Sequence, residues 1–252
     1  MDKIMIVYTE EPVLDNPILV EGLPGVGNVG KLAAEHLLDQ IDAVKFADIY
    51  SVHFPPQVVV DDEGVAKLVN NELYYSKSDG DRPDLIIMVG DYQGLTPEGQ
   101  YYISDAILGI AAKFNVSLIF TLGGYGIGKM VEAPRVLGAA TSMELVEDMK
   151  EKGVIFSKGE PGSGIVGASG LLLGLGKIKG QNAVCLMGET SGYFVDPKGA
   201  EAVLRILANI LKVQIDFSEL ETKAEQIDLI TSKLKEAETP VEPQREDLGY
   251  IG

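Results

Sequence analysis

Three glycine clusters are the residues whose type and spacing could do chemistry in this chain. The first, Gly25-Val26-Gly27-Asn28-Val29-Gly30, reads G-x-G-x-x-G between a strand-like run and a helical one. In a dinucleotide site such glycines let the backbone approach a pyrophosphate at a helix N-terminus, and an acid near the end of the next strand holds the ribose. Asp48 stands at about that separation. Two features favour a tight strand-to-helix turn packed on a neighbour instead: Gly22-Leu23-Pro24 intervenes before the first glycine, and another strand precedes the unit. The second cluster, Gly123-Gly124-Tyr125-Gly126-Ile127-Gly128-Lys129, has the glycine and lysine spacing of a phosphate-binding loop. The position that needs a hydroxyl for Mg²⁺ is Met130, however, and Pro134 interrupts the helix that should follow. The third cluster, Gly162–Gly176, repeats glycine at three- and four-residue steps, which suits close backbone packing inside the domain or at a subunit contact.

Nucleophilic and acid–base candidates are sparse. There is no G-x-S-x-G elbow, and Cys185 lies inside an apolar run, where a small buried side chain is the simpler reading than a thiolate. His36 falls mid-helix in a structural setting, while His53, beside Phe54-Pro55-Pro56, sits on a loop. Asp91 and Glu189 each follow a strand, at the carboxyl ends where open α/β sheets place ligands. A nucleotide or small-molecule site, if the chain has one, is expected between Gly25, Gly27, Gly30, Gly124, Gly126, Gly128 and Glu189. No catalytic constellation assembles from these residues, and neither a cofactor nor a metal is expected, since two histidines and one cysteine are too few for a structural zinc site.

Composition narrows the partners. A formal net charge of −17 with scattered Lys and Arg argues against nucleic acid. No apolar run reaches the roughly 18–20 residues that span a bilayer, and no signal-peptide core follows Met1. A single cysteine suits a reducing compartment, so a soluble, cytoplasmic protein is expected.

The elements that must position these residues alternate between short β-branched runs and longer helical ones, the pattern of an α/β layered domain. Strands are predicted at 4–8, 18–21, 44–50, 85–90, 116–122 and 183–187, with a hairpin at 57–60 and 65–75 turned by Asp61-Asp62-Glu63-Gly64. Helices are predicted at 29–41, 97–113, 137–152, 163–175 and 197–213. Pro97 and Pro197 take first-turn positions behind the N-cap candidates Thr96 and Asp196. The core domain is expected to span 1–217. The arm at 218–252 opens with a helix whose stripe Leu220, Ala224, Ile227, Thr231 and Leu234 either pairs with a neighbour or packs back on its own domain. Pro240 and Pro243 then give an extended linker, and the arm turns apolar again at Leu248-Gly249-Tyr250-Ile251-Gly252, a feature that points to a binding partner.

Several segments together resemble the proteasome-assembly-chaperone family in its archaeal branch. Val20-Glu21-Gly22-Leu23-Pro24-Gly25-Val26-Gly27-Asn28-Val29-Gly30 is similar to that family's G-[ML]-P-G-x-G-x-x-G signature, Leu122–Gly126 to its central glycine loop, and Gly188–Pro197 to its late motif, in order over about residues 3–215. The resemblance implies a three-layer α/β/α sandwich with a largely parallel or mixed central sheet, like that of phosphorylases and peptidyl hydrolases, used for protein binding instead of catalysis. It implies homo-oligomers, here through the Leu220–Leu234 helix or the Gly162–Gly176 segment. It also implies docking of C-terminal tails between proteasome α-subunits, which assigns partner binding to Leu248, Tyr250, Ile251 and Gly252. The family's docking motif has its Tyr second from the end, whereas Tyr250 stands third. The family is sometimes labelled ATP-grasp-like, and neither glycine loop here is complete enough to support that label. The alternative is a nucleotide- or small-molecule-binding enzyme using the glycine loops.

Overall fold

A computed structural model describes residues 3–78, 80–157, 159 and 164–238, with side chains described as far as Ser232. Its centre is an eight-stranded mixed sheet. In chain order the strands are β1 (Ile4–Tyr8), β2 (Ile18–Gly22), β3 (Val44–Ser51), a separate pair β4 (Val58–Val60) and β5 (Ala66–Leu68), then β6 (Asn71–Ser76), β7 (Leu85–Gly90), β8 (Leu118–Gly126), β9 (Val136–Ala140) and β10 (Ala183–Thr190). Their spatial order is β1-β3-β6-β7-β2-β8-β10-β9, with β4 and β5 forming a two-stranded ribbon of their own. The four middle strands β7, β2, β8 and β10 run parallel, and antiparallel strands close both ends. β7 and β10 are buried at every position, as strands covered on both faces must be.

Six α-helices sandwich the sheet: α1 (Val29–Gln40), α2 (Pro97–Lys113), α3 (Met143–Glu151), α4 (Ala168–Ile178), α5 (Pro197–Leu211) and α6 (Ser218–Glu238). One core packs Val29, Leu37, Val203 and Leu207 of α1 and α5 against Val20, Phe120 and Val184. The other packs Ile103, Ile107 and Leu172 of α2 and α4 against Leu19, Ile86 and Phe46. This is the three-layer α/β/α arrangement expected. Both sequence-read N-caps form: Thr96 Oγ1 accepts from Gly99 N–H at 3.0 Å and Asp196 Oδ1 accepts from Gly199 N–H at 2.9 Å.

Three element assignments need correction. Residues 136–140 form edge strand β9 and not the start of a helix; the helix begins only at Met143, after the Ser142 cap. The antiparallel edge of β10 recruits this segment, and Gly138 leaves room for Val154 and Phe156, which approach to 2.5–2.6 Å from where a Cβ would sit. The predicted 65–75 strand breaks at Val69-Asn70, so β5 pairs with β4 while β6 joins the main sheet. The helix predicted at 163–175 runs instead over Ala168–Ile178, behind Gly167 at φ 86°.

α6 packs back on its own domain. Leu220 is 1% exposed and joins the core of α1 and α5, Ala224 is buried, and Lys198 ties α6 to the body through Asp228 at 2.8 Å. No helix among the described residues is long and apolar enough to cross a membrane.

Candidate functional site

The sheet brings the first two glycine clusters and the end of β10 together. In β8 and β10, Gly124 lies opposite Gly188, Tyr125 opposite Glu189 and Gly126 opposite Thr190. The loop from β2 to α1 crosses this edge as a short 3₁₀ turn at Val26–Asn28, with Gly27 and Asn28 both at positive φ. Most of the second cluster is therefore strand: β8 runs through Gly126, and of its glycines only Gly128, at φ 72°, stands in the loop beyond.

What the glycines accommodate is protein. A Cβ on Gly30 would lie 2.1 Å from the Leu122 carbonyl oxygen, one on Gly124 2.2 Å from the Val26 carbonyl oxygen, and one on Gly27 2.7 Å from Thr190 Oγ1. Gly22 is equally confined, 2.3 Å from Ala34 Cβ, and Gly188 fits the start of α5 at 2.4 Å from the Gly199 oxygen. These residues let α1, α5 and the 24–28 loop lie directly on strand backbones, the close approach only glycine permits. Gly25, Gly126 and Gly128 are less crowded, with nearest atoms at 3.4–4.0 Å.

The supporting features of a nucleotide site fall elsewhere. β3, which carries Asp48, is three places from β2 and antiparallel to both its neighbours, whereas a dinucleotide fold needs an adjacent parallel strand. Asp48 instead pairs with Lys45 at 2.6 Å and accepts from Asn70. After Gly128-Lys129 the chain enters a loop and then β9, with no helix to hold a phosphate. A nucleotide present at 100 times its Kd would add about 2.7 kcal/mol of stability. We expect thermal unfolding with ATP, GTP and NAD to show no upward shift; a saturable rise with any of them would restore the ligand reading.

The acid–base candidates are likewise apart. Asp91 and Glu189 end β7 and β10, three strand spacings or about 14 Å from each other. Glu189 is 4% exposed and is held by Arg135, whose Nε donates at 2.8 Å and whose backbone N–H donates at 3.1 Å; these bonds keep its carboxyl below the usual range. Cys185 is fully buried and its thiol is pushed up to about 12, so it is no thiolate. His36 Nε2 lies 2.7 Å from the Asp216 oxygen, a structural tie to the chain entering α6. His53 stacks on Tyr102 at 5.7 Å and lies 3.4 Å from Thr96 Oγ1. Among the described residues, no three His, Cys, Asp or Glu form a metal-holding group.

Sequence reading did not single out Glu21. It sits in β2 at the centre of the sheet, 0% exposed, accepting from Leu23 N–H at 3.2 Å and from Ser169 Oγ at 3.3 Å. Burial pushes its carboxyl up to about 8, so it is chiefly the neutral acid at pH 7. An acid directly after the apolar run Ile18–Val20, still inside the predicted strand, was the available signal.

The surface left at this end of the sheet is apolar and aromatic. Val26, Met130, Tyr193, Phe194 and Val195 are all at least one-third exposed, with Tyr193 at 75%. Val26 rests against Gly126 and Gly192, so the glycine packing fixes the platform that carries it. Exposed apolar and aromatic side chains grouped in this way mark a contact surface. The predicted tail residues Leu248, Tyr250, Ile251 and Gly252 lie outside the described residues, as do Gly162 and Ser163 of the third cluster.

Comparison with known proteins agrees with this geometry. The PAC2 family model matches residues 19–235. The crystal structure of Pyrococcus furiosus PbaB, an archaeal proteasome activator, superposes with a TM-score of 0.89 at 42% identity, covering 93% of this chain and 100% of that one. Pyrococcus furiosus PbaA, an archaeal homolog of proteasome-assembly chaperone, gives 0.77 at 27% identity over 94% and 93% of the two chains. A Methanocaldococcus jannaschii protein is 39% identical over 246 residues, covering 95% of this chain and 93% of that one.

Proposed function

The chain belongs to the PAC2 family, and from that membership we propose that it is a non-enzymatic, cytoplasmic chaperone that binds proteasome α-subunits through its C-terminal tail, as a homo-oligomer, to assist or regulate proteasomes. The observation that carries this reading is the likeness to PbaB over nearly the whole chain. The glycine geometry supports it, because the motif that resembles a nucleotide site is explained by backbone packing.

The chemistry assigned to the tail is simple. Tyr250 and Ile251 supply apolar anchors, Tyr250 adds a hydroxyl, and Leu248 extends the contact. The 14 residues after Glu238 reach at most about 50 Å when extended, enough to leave the body of the domain. Several tails on one oligomer add avidity without new contacts when their linkers span the pockets.

The test is capture of purified α-subunit rings by the full chain and by a chain lacking Leu248–Gly252. Capture by the full chain alone is expected. Equal capture by both would overturn the tail mechanism, and capture by neither would overturn the proteasome reading.

A further inference from the structure

The packing of α6 back onto α5 leaves a groove along its flank. Leu220, Ala224 and Thr231 of α6 are buried against the body, and the acids that follow two of these turns, Glu221 and Glu225, line an open gap toward the 130–134 segment together with Asp228. Two hollows of about 530 and 450 Å³ share Glu132, Lys198, Glu225 and Asp228, so they form one continuous groove. At one end Met130 and Leu229, both exposed, give it an apolar side. Met130 also borders Phe194 and Val195, so the groove opens onto the aromatic platform at the end of the sheet.

Charge selects the occupant. Five carboxylates line the groove, Glu132, Glu201, Glu221, Glu225 and Asp228, against two cations, Lys198 and Arg205. Both cations are engaged: Lys198 with Glu132 at 3.1 Å and Asp228 at 2.8 Å, Arg205 with Glu201 at 2.7 Å and Glu221 at 3.2 Å. Negative charge is left in excess, and Glu225 makes no ion pair among the described residues. Such a field repels nucleic acid, anionic lipid and a second copy at −17 net charge. It also repels the chain's own 239–252 segment, where Glu242, Glu246 and Asp247 outnumber Arg245. Glu221 and Glu225, four residues apart on α6, lie about 6 Å apart along its axis, close to the roughly 6.6 Å between alternate side chains of an extended chain. We propose that this groove docks a basic, extended segment of a partner protein, whose cationic side chains meet Glu221, Glu225 and Asp228 while its apolar ones cover Met130 and Leu229.

This inference does not depend on the tail. The full chain is titrated into a fluorescein-labelled peptide of about eight residues, arginine alternating with leucine, and binding is read by anisotropy. Saturable binding to wild type is expected. Glu225→Lys should weaken it roughly tenfold or more and Leu229→Ser roughly threefold or more. Both positions are exposed, so both variants should keep the wild-type circular dichroism. Asp62→Lys makes the same change of charge on the exposed turn of the β4–β5 hairpin, outside the groove, and should bind within about twofold of wild type. Three results would overturn the proposal: no saturable binding to wild type, either groove variant binding like wild type, or Asp62→Lys losing as much as Glu225→Lys, which would mean that the peptide reads net charge alone. The peptide reports on the groove, so each outcome leaves capture of α-subunit rings by the tail to its own test.

Discussion

Gly30→Ala is expected to destabilise this protein by about 3 kcal/mol or more, although it replaces glycine by the best helix former. Two effects of opposite sign compete. Inside a helix the exchange gains up to about 1 kcal/mol of propensity. Against this, the new methyl would lie 2.1 Å from the Leu122 oxygen and 2.6 Å from its carbon, both backbone atoms of β8 that have no rotamer to yield. Relieving the overlap requires α1 to lift off β8, which opens the packing of Val29, Ala33 and Leu37 in the core they share with Phe120 and Leu122. Overpacking ordinarily costs 1–3 kcal/mol, and a backbone obstacle lies at or beyond the upper end. The matched control is Gly109→Ala: Gly109 is also helical and meets nothing within 4 Å, so only the propensity gain applies and a rise of about 0.5–1 kcal/mol is expected. Urea unfolding of the three proteins decides it. Similar midpoints for the two variants would show that the α1–β8 contact yields more easily than its geometry indicates.

Glu21→Gln is expected to stabilise the protein, by an amount that grows with pH. Burial raises the folded-state value to about 8 against 4.5 when exposed. A raised acid contributes stability that is fully present below the unfolded value and is lost as pH rises through the folded one. Between about pH 4.5 and 8 wild type therefore loses about 1.4 kcal/mol per pH unit from this group, or about 3 kcal/mol by pH 7 and about 5 above pH 8. Glutamine keeps the acceptor for Leu23 N–H, and its N–H₂ faces Ser169 Oγ, whose hydroxyl can then donate to the Leu122 oxygen 3.5 Å away. The variant should match wild type near pH 5 and exceed it by several kcal/mol at pH 8.5 in denaturant unfolding. Parallel stability curves from pH 5 to 8.5 would mean that Glu21 is ionised in the folded protein and solvated by groups other than these two.

Much of the architecture was legible before the structure. The alternation of apolar strands and helices gave the α/β class, and Thr96-Pro97 and Asp196-Pro197 marked two helix starts because capping acts within three residues. The glycine turn before α1 was also readable, since positive φ at Gly27 is a local demand. The candidate site was legible only in part. The sequence placed Gly27, Gly30, Gly124 and Glu189 near strand ends, but not what each of them meets.

Tertiary structure decided the rest, for one physical reason: a residue's partner across a sheet is distant in sequence. Leu137-Gly138-Ala139-Ala140 carries helical composition, yet it becomes a strand because β10 offers an unpaired edge. Asp48 stands at a ribose-binding distance along the chain, yet the strand order puts it three places away, paired with Lys45. Glu21 reads as one acid among many until parallel strands on both sides and α4 above close water away from it. By itself the sequence determined which short segments could turn, cap and bury; the order of strands determined that its glycines would meet protein backbone.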